Sequence, residues 1–138
     1  MSLFVSSSYD FCQFPGRVCT VSARRTVLIL DDDPSHLDIY GSMVQTAGFD
    51  PIPVLVRFSG PDPIPDAEID VILLDYRLNS VKTAPEIAGE LREKIPGAPI
   101  ILLSDLWSAP PDVKPFIAHF VRKGDPAKLI EVLRSHLS

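Results

Sequence analysis

Thr26-Val-Leu-Ile-Leu-Asp-Asp-Asp-Pro34 is the stretch on which the reading of this chain turns. Val27 to Leu30 are apolar at every position, so neither face of the segment suits water. A short run of this kind fits a strand of a parallel sheet with helices packed on both sides. The run then stops at three acids and a proline. Asp33 can cap a helix with Pro34 at its first position, and Gly48 can end it. Within that helix Leu37, Tyr40, Val44 and Ala47 fall on one face.

The same design recurs along the chain. Val71-Ile-Leu-Leu-Asp75 ends in acid, and Ile100-Ile-Leu-Leu-Ser104 ends in a hydroxyl. Phe116 to Arg122 reads as a further strand leading into Lys123, and Ile52 to Val56 as a weaker one. Thr83-Ala-Pro-Glu86 is a capping box, followed by Ile87, Leu91 and Ile95 on one stripe. Asp125-Pro126 opens a last helix with Leu129, Leu133 and Leu137 inward. Two further crossovers are rich in proline: Arg57 to Glu68 holds Pro61, Pro63 and Pro65, and Leu106 to Pro115 holds Pro110, Pro111 and Pro115. Proline lacks the amide proton of a helix interior and clashes with the preceding turn. These segments predict helices that are degenerate and partly unwound. The expectation is an α/β sandwich of five strands with right-handed crossovers and helices on both faces.

Composition agrees with one domain. The chain has 138 residues, 46% of them hydrophobic, which is enough for a core. Its formal net charge of -5 argues against direct binding to nucleic acid or to an anionic membrane. Cys12 and Cys19 are the two cysteines, so no disulfide framework underlies the fold, and both read as inert thiols. Residues 1–24 are serine-rich, carry scattered aromatics and lack periodicity, which predicts a mobile extension ahead of a domain over 25–138. No apolar run reaches bilayer length and the start lacks the pattern of a secretory signal, so the cytoplasm is the expected address.

The chemistry is carried by what stands at the strand ends. Asp31 and Asp32 close the first strand, Asp75 the third, Ser104 the fourth and Lys123 the fifth. In an open doubly wound sheet ligands bind outside the carboxyl ends of the strands, so these residues should converge on one edge. Three carboxylates in one pocket repel each other and favour protonation unless a cation joins them. Mg2+ suits such oxygen ligands and keeps waters that a phosphate can replace. Lys123 and Ser104 complete a cradle for phosphate oxygens around a nucleophilic carboxylate.

Leu28-Ile-Leu-Asp-Asp-Asp-Pro34, Val71-Ile-Leu-Leu-Asp-Tyr-Arg-Leu78, Leu103-Ser104 and Phe120-Val-Arg-Lys123, in that order, resemble the receiver domains of bacterial two-component response regulators. The resemblance spans about residues 25–138. It implies a flavodoxin-like three-layer sandwich, strand order 2-1-3-4-5, with the second and fourth helices degenerate here. It implies that Asp75 is the phosphoacceptor and that Asp31 and Asp32 hold Mg2+, Asp32 directly. The backbone carbonyl of Arg77 would be a further metal ligand, Ser104 and Lys123 would bind the phosphoryl group, and Phe120 would be the aromatic switch. The implied phosphodonor is a histidine kinase or histidine phosphotransferase. The chain departs from that pattern at Asp105, where a small residue is usual and a carboxylate should repel phosphate, and at Gly124, where proline is usual.

Two other function classes fit some of these residues. Asp31-x-Asp33 after an apolar strand also resembles the nucleophile motif of haloacid-dehalogenase-type phosphatases, although that reading leaves Asp75 idle. A phosphorylation-independent interaction module, a pseudo-receiver, would keep the fold without the chemistry. His36, His119 and His136 read as surface or packing residues. Trp107, three residues past Ser104, is expected beside the phosphate pocket.

Overall fold

The computed structural model describes residues 24–137, without the side chain of Leu137. The expected extension, with Cys12 and Cys19, lies outside the described residues apart from Arg24. The strands are β1 (Thr26–Asp31), β2 (Asp50–Arg57), β3 (Gly60–Pro61), β4 (Val71–Asp75), β5 (Ile100–Ser104) and β6 (His119–Arg122). The helices are α1 (Pro34–Thr46), α2 (Ala84–Lys94) and α3 (Pro126–Leu137).

The sheet order is β3-β2-β1-β4-β5-β6. Its five long strands are all parallel, in the order expected, and β3 is a two-residue antiparallel return at the β2 edge. β1 and β4 are central and buried on both faces, as their unbroken apolar runs require. Alternation along the strands divides the core in two. Leu28, Leu30, Ile72, Leu74, Ile100 and Leu102 pack against α2. Val27, Ile29, Val71, Leu73, Ile101 and Leu103 pack against α1 and α3. The result is the three-layer sandwich.

The helix signals act as read. The Asp33 carboxylate accepts the Ser35 amide, Pro34 opens α1, and Gly48 takes a φ of 100° just past its end. Thr83 and Glu86 form both bonds of the capping box on α2. Asp125 accepts the Lys128 amide at the start of α3.

The proline-rich crossovers depart from expectation in degree. No helix forms between β2 and β4: the chain reverses at Gly60, where φ is 133°, and Asp62 N–H bonds back to Leu55. An Arg57–Asp62 pair at 2.7 Å closes that turn. Between β5 and β6 only one 3-10 turn forms, Lys114–Phe116. That turn takes the start of the predicted Phe116–Arg122 strand: the Phe116 and Ile117 amides bond back to Val113 O and Lys114 O, so β6 begins only at His119. Among the described residues no helix is long and apolar enough to cross a membrane.

Candidate functional site

Register decides which polar side chains meet. β1 and β4 run with Leu30 opposite Leu74, so the next step sets Asp31 beside Asp75. Adjacent strands lie about 4.8 Å apart, which leaves two carboxylates little room to avoid each other. Both share the parity of Ile29 and Leu73 and so fall on the α1/α3 side of the sheet. Asp32 joins them from just past the strand end. One oxygen from each of Asp31, Asp32 and Asp75 lies within 4.8 Å of the others. Lys123 follows Val121 by two residues, falls on the same side, and brings Nζ to 2.8 Å from Asp75 Oδ1.

Backbone amides fix the carboxylates in place. Asp33 N–H donates to Asp31 Oδ1 at 3.0 Å, and Asn79 N–H donates to Asp32 Oδ2 at 2.9 Å. Asp31 Oδ2 is buried and accepts no hydrogen bond from the described residues.

Burial, and then the neighbouring Asp75 charge, push the Asp31 carboxyl up from 3.8 to about 6. Asp75 is raised as well: its burial outweighs the bond from Lys123, although an ion pair alone would lower it. Burial lowers Lys123, but its bond to Asp75 more than reverses this and leaves its proton held more tightly. One half-buried ammonium therefore does not balance three carboxylates. The ligand atoms are all hard oxygens, and buried Asp31 Oδ2 accepts no hydrogen bond, with the His36 imidazole 3.3 Å away. That combination fits a hard divalent cation such as Mg2+ better than a thiolate- or imidazole-seeking metal.

Ser104 and Phe120 lie on the other side of the sheet. Ser104 shares the parity of Leu102, and Leu102 pairs with Phe120. The two are thus diagonal neighbours on β5 and β6, facing the α2 layer, where Phe120 is half-buried. Ser104 is buried, and its Oγ accepts the Leu106 amide at 3.1 Å, which leaves the hydroxyl proton free to donate elsewhere.

The departures from the receiver pattern are accommodated in the structure. The Arg77 guanidinium swings out to Asp105, Nε to Oδ1 at 3.0 Å, so the carboxylate expected to repel phosphate has a cation beside it. Gly124 takes a φ of 88°, which proline could not adopt, as the chain turns from Lys123 toward α3. Trp107 is not packed against the sheet. It is 83% exposed, with the Arg122 guanidinium 3.7 Å from its ring centre.

Two side chains and one amide at the site escaped the sequence reading. His36 was read as a surface or packing residue, yet its Nδ1 lies 3.3 Å from Asp31 Oδ2 and its Nε2 3.6 Å from Asp33 Oδ2. Tyr40 stacks edge-on against His36 and feels the charges of Lys123, Asp31 and Asp75. The Asn79 amide anchors Asp32. A signal for His36 was available, since the first turn of a helix that follows an acidic strand end must face that end.

No protein-family model and no curated protein matches the sequence. Solved structures do match the fold. The chemotaxis response regulator CheY4 of Vibrio cholerae is 21% identical with a TM-score of 0.69, the match covering 83% of this chain and 100% of that one. The response regulator TrrA of Thermotoga maritima is 21% identical with a TM-score of 0.66, over 82% of this chain and 99% of that one. NtrX of Brucella abortus is 17% identical with a TM-score of 0.67; the match covers 83% of this chain but 27% of that one. The sheet order, the helix layers and these likenesses agree: the chain has the fold of the CheY-like response-regulator receiver domain.

Proposed function

We propose that this chain is a phosphorylation switch that receives a phosphoryl group on Asp75 from a phosphohistidine of a partner kinase or phosphotransferase. The observation that carries the reading is the Lys123–Asp75 contact of 2.8 Å beside two further carboxylates, all at the carboxyl edge of the sheet. An Asp75 carboxylate oxygen attacks phosphorus in line. The bond from phosphorus to the donor imidazole nitrogen breaks, and the imidazole keeps the electron pair and takes a proton. Lys123 Nζ, already at the reacting carboxylate, pairs with the transferred oxygens. Ser104 turns its free hydroxyl proton toward them, and Phe120 follows into the space it vacates. Asp31, Asp32, Asp75 and the Arg77 carbonyl are the residues that would hold Mg2+, which supplies neutralising charge for the carboxylates and the incoming phosphoryl oxygens. TrrA, one of the similar structures, was solved as a complex with Mg2+ and BeF.

Intact-mass measurement after incubation with Mg2+ and acetyl phosphate tests the reading. One phosphoryl group should add to the wild type and none to Asp75→Asn, and the adduct should be sensitive to hydroxylamine. Equal labelling of both would refute it.

The pseudo-receiver reading draws support from the missing helix between β5 and β6, a segment that carries signal output in the receiver reading. The phosphatase reading is disfavoured because Asp33, its second acid, is committed to the Ser35 amide and hydroxyl at the start of α1.

A further inference from the structure

The amino edge of the sheet, opposite the acidic cluster, carries two histidines from separate elements. His119 opens β6 and pairs with Ile101, so its side chain falls on the α1/α3 side with Ile101 and Val121. α3 runs back along that side and buries Leu129, Val132 and Leu133 against the sheet. His136 follows Val132 by four residues and Leu133 by three, so it continues the same stripe one turn further. The two side chains meet at the start of β6. Their ring centres lie 4.6 Å apart with the planes at 79°.

His136 is half-buried, and its Nε2 is buried yet forms no hydrogen bond among the described residues. Burial, and then the charge of a protonated His119, hold the His136 imidazole below its usual range, so it stands as a neutral ligand. An ion about 2.1 Å from a ring nitrogen lies about 3.2 Å from the ring centre. Two imidazoles on one ion, at angles between octahedral and tetrahedral, then put their centres roughly 4.5–5.2 Å apart. The observed 4.6 Å falls in that range. Imidazole nitrogen suits Cu2+, Ni2+ and Zn2+, whereas Mg2+ seeks oxygen. Nitrogen donors thus stand at one edge of the sheet and oxygen donors at the other.

We propose that His119 and His136 together bind a borderline divalent transition ion, of the class of Cu2+ and Zn2+, through one ring nitrogen each. Water completes the coordination. The ion ties the last turn of α3 to the first residue of β6. This site differs from the acidic cluster in place and in ligand type, so it is independent of the phosphoryl chemistry.

Cu2+ is the probe. The full chain carries Cys12→Ser and Cys19→Ser so that no thiol competes, and excess Mg2+ fills the acidic edge. Electron paramagnetic resonance at substoichiometric Cu2+ should show coupling to two imidazole nitrogens. Calorimetry should find one tight site per chain. That site should weaken about a hundredfold in His119→Gln and in His136→Gln, because the fold holds the second imidazole at high effective concentration. His119 is exposed, so His119→Gln leaves the core intact. His36→Gln, at the other edge, should bind Cu2+ as tightly as the parent. Coupling to fewer than two nitrogens, unchanged affinity in His119→Gln, or a tight site lost in His36→Gln overturns the proposal and leaves the pair as edge-to-face packing only.

Discussion

Asp31→Asn in the metal-free protein probes the charge crowding directly. The substitution keeps the shape of the side chain: its oxygen can still accept the Asp33 amide, now at 3.0 Å, and its new N–H group faces His36 Nδ1, which lies 3.3 Å from the present Oδ2. What it removes is a buried charge. A carboxyl held at about 6 in the folded chain and near 3.8 in the unfolded one binds its proton more tightly when folded. The stability this adds is complete below about pH 4 and is lost as pH rises through about 6, leaving the ionised side chain a burden of about 3 kcal/mol at neutral pH. Asparagine escapes that loss. Urea unfolding in chelator should show the variant more stable than wild type by about 2–3 kcal/mol near pH 7.5, shrinking toward zero near pH 4. Against a typical domain stability of about 5–15 kcal/mol this is easily read. Added Mg2+ should raise the wild-type midpoint and narrow the gap, since binding to the folded state alone stabilises by mass action. A variant no more stable than wild type near pH 7.5, or a difference that does not change with pH, would refute the reasoning.

Lys123→Met leaves buried Asp75 without its cation and should cost about 2 kcal/mol near pH 7.5 in the same assay, less near pH 4 as Asp75 takes a proton; the figure sits below that for a fully buried pair because the ammonium is partly exposed. An unchanged midpoint would show that the 2.8 Å contact is idle. Arg77→Ala frees the exposed Asp105 carboxylate, so it should slow labelling by acetyl phosphate while changing stability by less than about 0.5 kcal/mol. Adding Asp105→Ala should restore the rate, and a single variant that labels as fast as wild type would count against any shielding by Arg77. Trp107 emission should change only when Mg2+ and phosphodonor are both present, because Arg122 on its ring is bonded in sequence to Lys123. A response to Mg2+ alone that persists in Asp75→Asn would make Trp107 a reporter of the metal.

Much of this molecule is written in local sequence. Four consecutive apolar residues ending in acid can hardly be anything but a buried strand whose polar end meets solvent, and Val27–Asp31 and Val71–Asp75 are such strands. Asp33-Pro34, Thr83 to Glu86 and Asp125-Pro126 start helices through bonds that span three residues or fewer, so their role does not depend on the rest of the fold. Asp31, Asp32, Asp75 and Lys123 were identifiable because strand ends of a parallel sheet share one edge. Other features depended on relations that a linear reading cannot contain. Side-chain parity across β5 and β6 set Ser104 with Phe120 on one face and Lys123 with Asp75 on the other. Arg77 reaches across to Asp105, and Arg122 to Trp107, from separate elements. His36 joins the acidic cluster only because α1 folds back over the end of β1. The prolines of 57–70 forbade a helix, but the turn made in its place, with Gly60 reversing the chain onto β2, was decided by which edge of the sheet lay open. Local hydrogen bonding and hydrophobic period act over a few residues and are legible in order. Pairing between charges and aromatics far apart in sequence waits for the packed layers to bring them within reach.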